Sequence, residues 1–186
     1  DHFGGVHEIR DPDTLVVTQD RYTQCREYWQ ILDDFYKRRS GKLWGSVLGN
    51  RADVKNIIRE VTPDITFRDD YRVELGGREL ELYAVSGGES EDSVVVWLPQ
   101  DRTVITGNLF GPVFGNMPNL YTIRGDKIRS AMRFIKSLDF VAQLQPDVIV
   151  TGHEVIHGKA EIDDALVMLR AAVVYVHDYT IEGMQA

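Results

Sequence analysis

An α/β layered domain is the fold class this sequence predicts, on three observations. Runs with strand-type alternation and runs with helical periodicity are interleaved along the chain, no internal repeat is visible, and no Pro/Ser-rich linker divides it. With 186 residues, 43% of them hydrophobic and 27% charged, the chain has the length and composition of one globular domain with a normal core. Residues 1–186 are therefore read as one domain.

In order along the chain, Thr14 to Thr18 reads as a short β segment. Arg21 to Arg39 carries apolar residues at Cys25, Tyr28, Trp29, Leu32, Phe35 and Tyr36, a helical spacing. A weaker amphipathic stretch, Val54 to Val61, precedes Pro63. Alternation then appears in Tyr71–Leu75 and Glu79–Tyr83, and the intervening Gly76-Gly77 predicts a hairpin. Val94–Leu98 and Thr103–Thr106 are apolar, β-branched runs separated by Pro99–Arg102, as expected of neighbouring buried strands joined by a turn. A helical pattern returns from Asp126 to Leu144, followed by a strand from Asp147 to Thr151 and a helix from about Glu161 to Met184.

The formal net charge of −8 and the lack of a Lys/Arg-rich run argue against nucleic acid or an anionic membrane as the main partner, and leave a small or locally anionic substrate open. No apolar run approaches the length of a membrane span, and the opening residues have none of the features of a signal peptide. A signal could precede them, so the compartment stays open. Cys25 is the only cysteine, which excludes an intrachain disulfide and says nothing of redox compartment.

A hydrolytic zinc-like ion needs three or four carboxylate or imidazole ligands and an open position for water, and the chain has five histidines to offer. Asp1-His2 before Gly4-Gly5 places a carboxylate and an imidazole on a tight turn, although a polar loop carries such a pair equally well. His153-Glu154-Val155-Ile156-His157 matches the H-E-x-x-H pattern of zinc proteases, but that pattern requires a helix to bring both imidazoles to one face. Here it follows the strand-like Asp147–Thr151 and lies between Gly152 and Gly158, which favours a strand-to-loop transition. His153 alone, leaving the end of a buried strand, is placed to enter a site at the sheet edge; the plainer alternative is a ring bonded to a loop carbonyl. His7 and His177 lie on helical patterns and read as structural.

Asp1-His2-Phe3-Gly4-Gly5, Gly88-Glu89, Gly107-Asn108, Asn119–Gly125 and Gly152-His153 occur in the order found in the metallo-β-lactamase superfamily, and together they resemble its alkylsulfatase branch. Asn119–Gly125, Arg38-Arg39 with Trp44-Gly45, and Tyr175–Thr180 carry the branch resemblance, which spans nearly the whole chain. The family's first motif is H-x-H-x-D-H, and the chain starts at its Asp, so the expectation is the C-terminal portion of a metallo-β-lactamase-like αββα sandwich.

The resemblance implies a zinc-dependent hydrolase of alkyl sulfate esters acting through a metal-bound hydroxide. Asp1 and His2 would bind the second metal with His153, and Glu89 would join the two histidines of the motif at the first. Asn108 falls where the family has a bridging carboxylate; an amide is a weaker ligand, which lowers affinity for a second cation or leaves one zinc. Glu89 departs from the histidine of ordinary metallo-β-lactamases and matches the alkylsulfatase pattern. Arg124 and Asn119 would hold the sulfate oxygens, since a guanidinium fork and an amide NH₂ both donate to a tetrahedral oxyanion. Tyr121 and Trp44 would line the pocket, and Asp1 and Arg124 would be the catalytic groups. The expected partner is a small anionic ester, and a homodimer is the assembly the branch suggests. Two alternatives remain: a superfamily hydrolase of another ester, lactone or lactam, and a metal-poor, non-catalytic relic.

Overall fold

The computed structural model describes residues 5–48, 61–111, 113–121, 127–154 and 157–186. Two compact units contain them: Asp1–Arg68 with Thr122–Lys127, and Asp69–Tyr121 with Ile128–Ala186.

The first unit holds α1 (Val6–Ile9), β1 (Val17–Gln19), α2 (Arg21–Ile31), α3 (Asp33–Leu48) and β2 (Ile65–Phe67). The strand expected at Thr14–Thr18 is shifted to β1, which pairs in parallel with β2. The helix expected over Arg21–Arg39 is two helices. Leu32 leaves helical geometry (φ −103°, ψ 10°), and α3 restarts with Asp33 and Asp34 in its first turn, where negative charge meets the positive end of the helix dipole. The Tyr22 hydroxyl donates to the Val61 carbonyl at 2.9 Å. Apart from Val61, the amphipathic stretch Val54–Val61 lies outside the described residues.

In the second unit the alternating runs around Gly76-Gly77 form β3 (Asp70–Leu75) and β4 (Arg78–Ala84), antiparallel with Leu75 opposite Arg78. Both glycines have positive φ (59° and 78°), as a two-residue turn matched to strand twist requires. β5 (Val94–Leu98) and β6 (Thr103–Gly107) follow, joined through a 3-10 turn at Pro99–Asp101. The sheet runs β3-β4-β5-β6-β7-β8, with β7 at Val148–Thr151 and β8 at His157–Gly158. β7 is parallel to β6, so the chain must cross over between them, and α4 (Ala131–Leu144) lies on that crossover. α4 starts later than its periodicity suggests because Ser130 caps it, its hydroxyl accepting from the Arg133 amide. α5 (Lys159–Gln185) closes the chain.

One sheet face supplies Val95, Trp97, Val104, Thr106, Ile149 and Thr151, all buried; each strand contributes alternate residues. Phe134, Ile135, Leu138 and Val141 of α4 and Ile162, Ala165, Leu166, Leu169 and Val173 of α5 share the same core, at the spacing of one helical stripe. Each fully buried Leu or Phe stabilises by about 1.5–3 kcal/mol. Among the described residues, no helix is long and apolar enough to cross a membrane.

Candidate functional site

Three loops leave the same region of this sheet. The first follows β4, the second follows β6 and the third follows β7, and they carry Glu89, Asn108 and His153. The Asn108 amide nitrogen donates to Glu89 Oε2 at 2.5 Å and lies 3.1 Å from His153 Nε2. A carboxylate only accepts hydrogen bonds, so the amide must turn its NH₂ toward Glu89. With that NH₂ as donor, His153 Nε2 accepts, and its lone pair points at the same place as the Glu89 oxygen.

Glycine makes this approach possible. A Cβ on Gly152 would sit 2.1 Å from Asn108 Oδ1, and one on Gly88 would sit 2.3 Å from the Leu109 carbonyl oxygen. Gly107 adopts φ 51°, which turns the chain sharply out of β6 just before Asn108. The Gly152 amide donates to the Gly107 carbonyl at 3.0 Å, fixing the third loop to the second.

Carboxylate and imidazole are the ordinary donors to a zinc-like ion, and here one of each converges on a single point. These two donors fit such an ion, whereas Asn108 presents its NH₂, which is no metal ligand, and would join them only with its Oδ1 turned inward. Its NH₂ places partial positive charge between the two stronger donors, as a cation would. Among the described residues, no group of three His, Cys, Asp or Glu side chains is placed to hold a metal. Asp1, His2 and Arg124 lie outside the described residues, as does the side chain of Trp44, whose backbone belongs to α3.

Arg129 was not singled out by the sequence. Its side chain is 12% exposed, Nη2 lies 4.0 Å from Glu89 Oε1, and Nη1 donates to the Asn119 carbonyl at 2.8 Å. Its backbone amide also donates to the Leu120 carbonyl at 3.0 Å. Asn119 thus connects with Glu89 through Arg129 and its own backbone oxygen. Tyr121 is 73% exposed, so its ring is open to solvent. A cation immediately before a Ser helix cap is the one sequence signal that marks Arg129, and it is a weak one.

The sequence matches the family model described as the metallo-beta-lactamase superfamily over residues 1–153. The chain belongs to the metallo-beta-lactamase superfamily. Within it, the chain is 32% identical over 126 residues to a linear primary-alkylsulfatase from a Pseudomonas species, an alignment spanning 67% of this chain and 23% of that protein. A stereoselective inverting sec-alkylsulfatase from Pseudomonas sp. superposes with a TM-score of 0.80 at 22% identity, covering 100% of this chain and 32% of that one. A double mutant of the sec-alkyl sulfatase gives a TM-score of 0.81 at 20% identity, with the same coverage. A metallo-beta-lactamase family protein from Thermus thermophilus gives 0.58 at 16% identity, covering 91% of this chain and 55% of that one. These likenesses show that the α/β architecture is the metallo-β-lactamase fold. The chain spans about a quarter of the curated relative's length and about a third of the alkylsulfatase structures. The superfamily match ends at His153, so α5 lies beyond it.

Proposed function

We propose that this protein is a metal-dependent hydrolase of alkyl sulfate esters. The observation that carries the reading is the convergence of Glu89, Asn108 and His153 on one point, in a chain similar to a linear primary-alkylsulfatase. Zinc is the ion this donor set suits: His153 would hold it with Asp1 and His2 of the motif that opens the chain, and Glu89 would serve the first metal position with that motif's two histidines. The neutral Asn108 amide weakens a second site, so one firmly held ion is expected. When bound, such an ion supplies Lewis acidity toward an ester oxygen and makes a water molecule easier to deprotonate.

The remaining roles belong to side chains of this chain. Arg124 and the Asn119 amide would donate to the oxygens of an anionic ester and offset the charge that grows on the departing sulfate. Arg129 holds the Asn119 backbone and faces Glu89, tying the anion-binding segment to the carboxylate. Tyr121 and Trp44 would contact the alkyl portion.

The test is zinc content together with turnover of primary and secondary alkyl sulfates by the full-length protein. His153→Ala and Arg124→Ala should each lower kcat/KM by roughly 100-fold or more, with little change in melting temperature. Turnover of esters or lactones in place of alkyl sulfates would move the substrate class within the superfamily. One observation favours a second reading, a metal-poor binding protein: Asn108 turns its NH₂, which cannot ligate a cation, toward both Glu89 and His153. Full-length protein that takes up no zinc and hydrolyses none of these substrates would select it.

A further inference from the structure

The H-E-x-x-H run leaves Glu154 and His157 without a role in the proposed function. His157 lies in β8 opposite Ile149, so it does not share a helix face with His153. Glu154 Oε2 accepts from the Phe114 backbone amide at 2.6 Å and lies 3.2 Å from His157 Nε2. His157 is held from its other side, with Nδ1 2.8 Å from Glu161 Oε1 at the start of α5. Its ring is 13% exposed and lies 5.2 Å from the ring of Phe114. Phe114 packs in turn on Phe110, which is 1% exposed and stands two residues after Asn108.

These contacts close a circuit around His153. The His153 ring is exposed and its Nε2 lies 3.1 Å from the Asn108 amide, so its direction depends on how the turn that carries it is held against the loop carrying Asn108. Before it, Gly152 is fixed to the Gly107 carbonyl. After it, the Glu154 amide donates to Thr151 Oγ1 at 3.1 Å, and the Glu154 carboxylate grips the loop that follows Asn108. A charged acceptor on a backbone N–H is among the stronger hydrogen bonds a loop can make, and its partner here is 40 residues away in sequence.

We propose that Glu154 is a positioning residue, clamped by His157, that fixes the turn carrying His153 against the loop carrying Asn108 and so sets the direction of the His153 imidazole. The inference rests on the reading of His153 as a metal ligand. It assigns the second and fifth residues of the H-E-x-x-H run to the support of the first rather than to a second ligand.

Zinc affinity of the full-length protein, measured by calorimetric titration, tests it. Loss of a group that orients a ligand should weaken zinc by about 10-fold or more in Glu154→Ala. Glu154→Gln should bind close to the parent, because its amide oxygen can take the place of the one carboxylate oxygen that meets both the Phe114 amide and His157 Nε2. Glu154→Asp keeps the charge but is too short to span both partners, so it should weaken zinc as Glu154→Ala does; it decides the matter should the alanine variant not fold. Parental affinity in folded Glu154→Ala or Glu154→Asp, with affinity lost in His153→Ala, overturns the positioning role alone. Parental affinity in His153→Ala overturns the metal reading, and the positioning role with it.

Discussion

Tyr83 shows what a single side chain in this sheet responds to. Burial on the core side of β4, its hydrogen bond to Glu81 and the charge of that carboxylate together push its hydroxyl up to about 12, against a smaller opposing pull from Arg72. A folded-state value above the unfolded one means that the native protein holds the proton more tightly. The associated stability is therefore fully present below about pH 10 and is lost as pH rises through about 12. Tyr83→Phe removes the titrating proton, so urea midpoints followed across that window should fall less steeply in the variant; parallel slopes would remove Tyr83 from the alkaline transition. The site residues were legible in the sequence at the same scale wherever a glycine marked a forced close approach or a sharp turn. In Gly88-Glu89 and Gly152-His153 the glycine permits a close approach to a neighbouring loop, and in Gly107-Asn108 it supplies the positive φ that turns the chain. Arg129 was not legible, because its importance lies in contacts to Glu89 and to the Asn119 backbone, 40 and 10 residues away, which no local pattern encodes.

At the scale of elements, the loop after β4 is the part whose geometry tolerates least. Gly87 has φ 95°, and a Cβ there would come within 2.4 Å of the Phe134 backbone nitrogen in α4. At Gly88 the obstacle is again backbone, the Leu109 carbonyl, so no side-chain rotation relieves it. Gly88→Ala should destabilise the protein by about 1–3 kcal/mol and displace Glu89, read as a lowered urea midpoint and weaker zinc binding; an unchanged midpoint would mean that the loop yields freely. The hairpin, the β5–β6 pair and the long C-terminal helix could be read from the sequence because alternation, turn glycines and helical stripes are local signals. The break at Leu32 could not, since the apolar spacing runs on through it and only the acidic restart at Asp33-Asp34 betrays a new helix. β2 and β8 are three and two residues long, too short for any period to show. His157 belongs to β8 through its pairing with Ile149, a long-range event that also removes it from the helix its motif would need.

For the second unit as a whole, stability and chemistry reside in different layers. Ion pairs such as Arg102–Asp147 and Arg72–Glu81 are partly solvated, and such pairs contribute about 0–1 kcal/mol each. The layer between the sheet and the two helices outweighs them: Leu138 of α4 is 1% exposed, and its truncation leaves a cavity that a packed core closes only in part. Leu138→Ala should therefore cost about 2–5 kcal/mol, read as a lower urea midpoint with an unchanged slope. Leu75→Ala, at a position 71% exposed at the hairpin end, should stay within about 0.5 kcal/mol of the parent. The loops bearing Glu89, Asn108 and His153 are rooted at the ends of β4, β6 and β7, where Val85 just after β4, Val104 of β6 and Ile149 of β7 share that core. Below its melting temperature, folded Leu138→Ala should thus bind zinc as the parent does, whereas His153→Ala should lose zinc and keep its midpoint. Loss of both properties together in Leu138→Ala, measured where the variant is fully folded, would mean that the core sets the site's geometry as well as its stability.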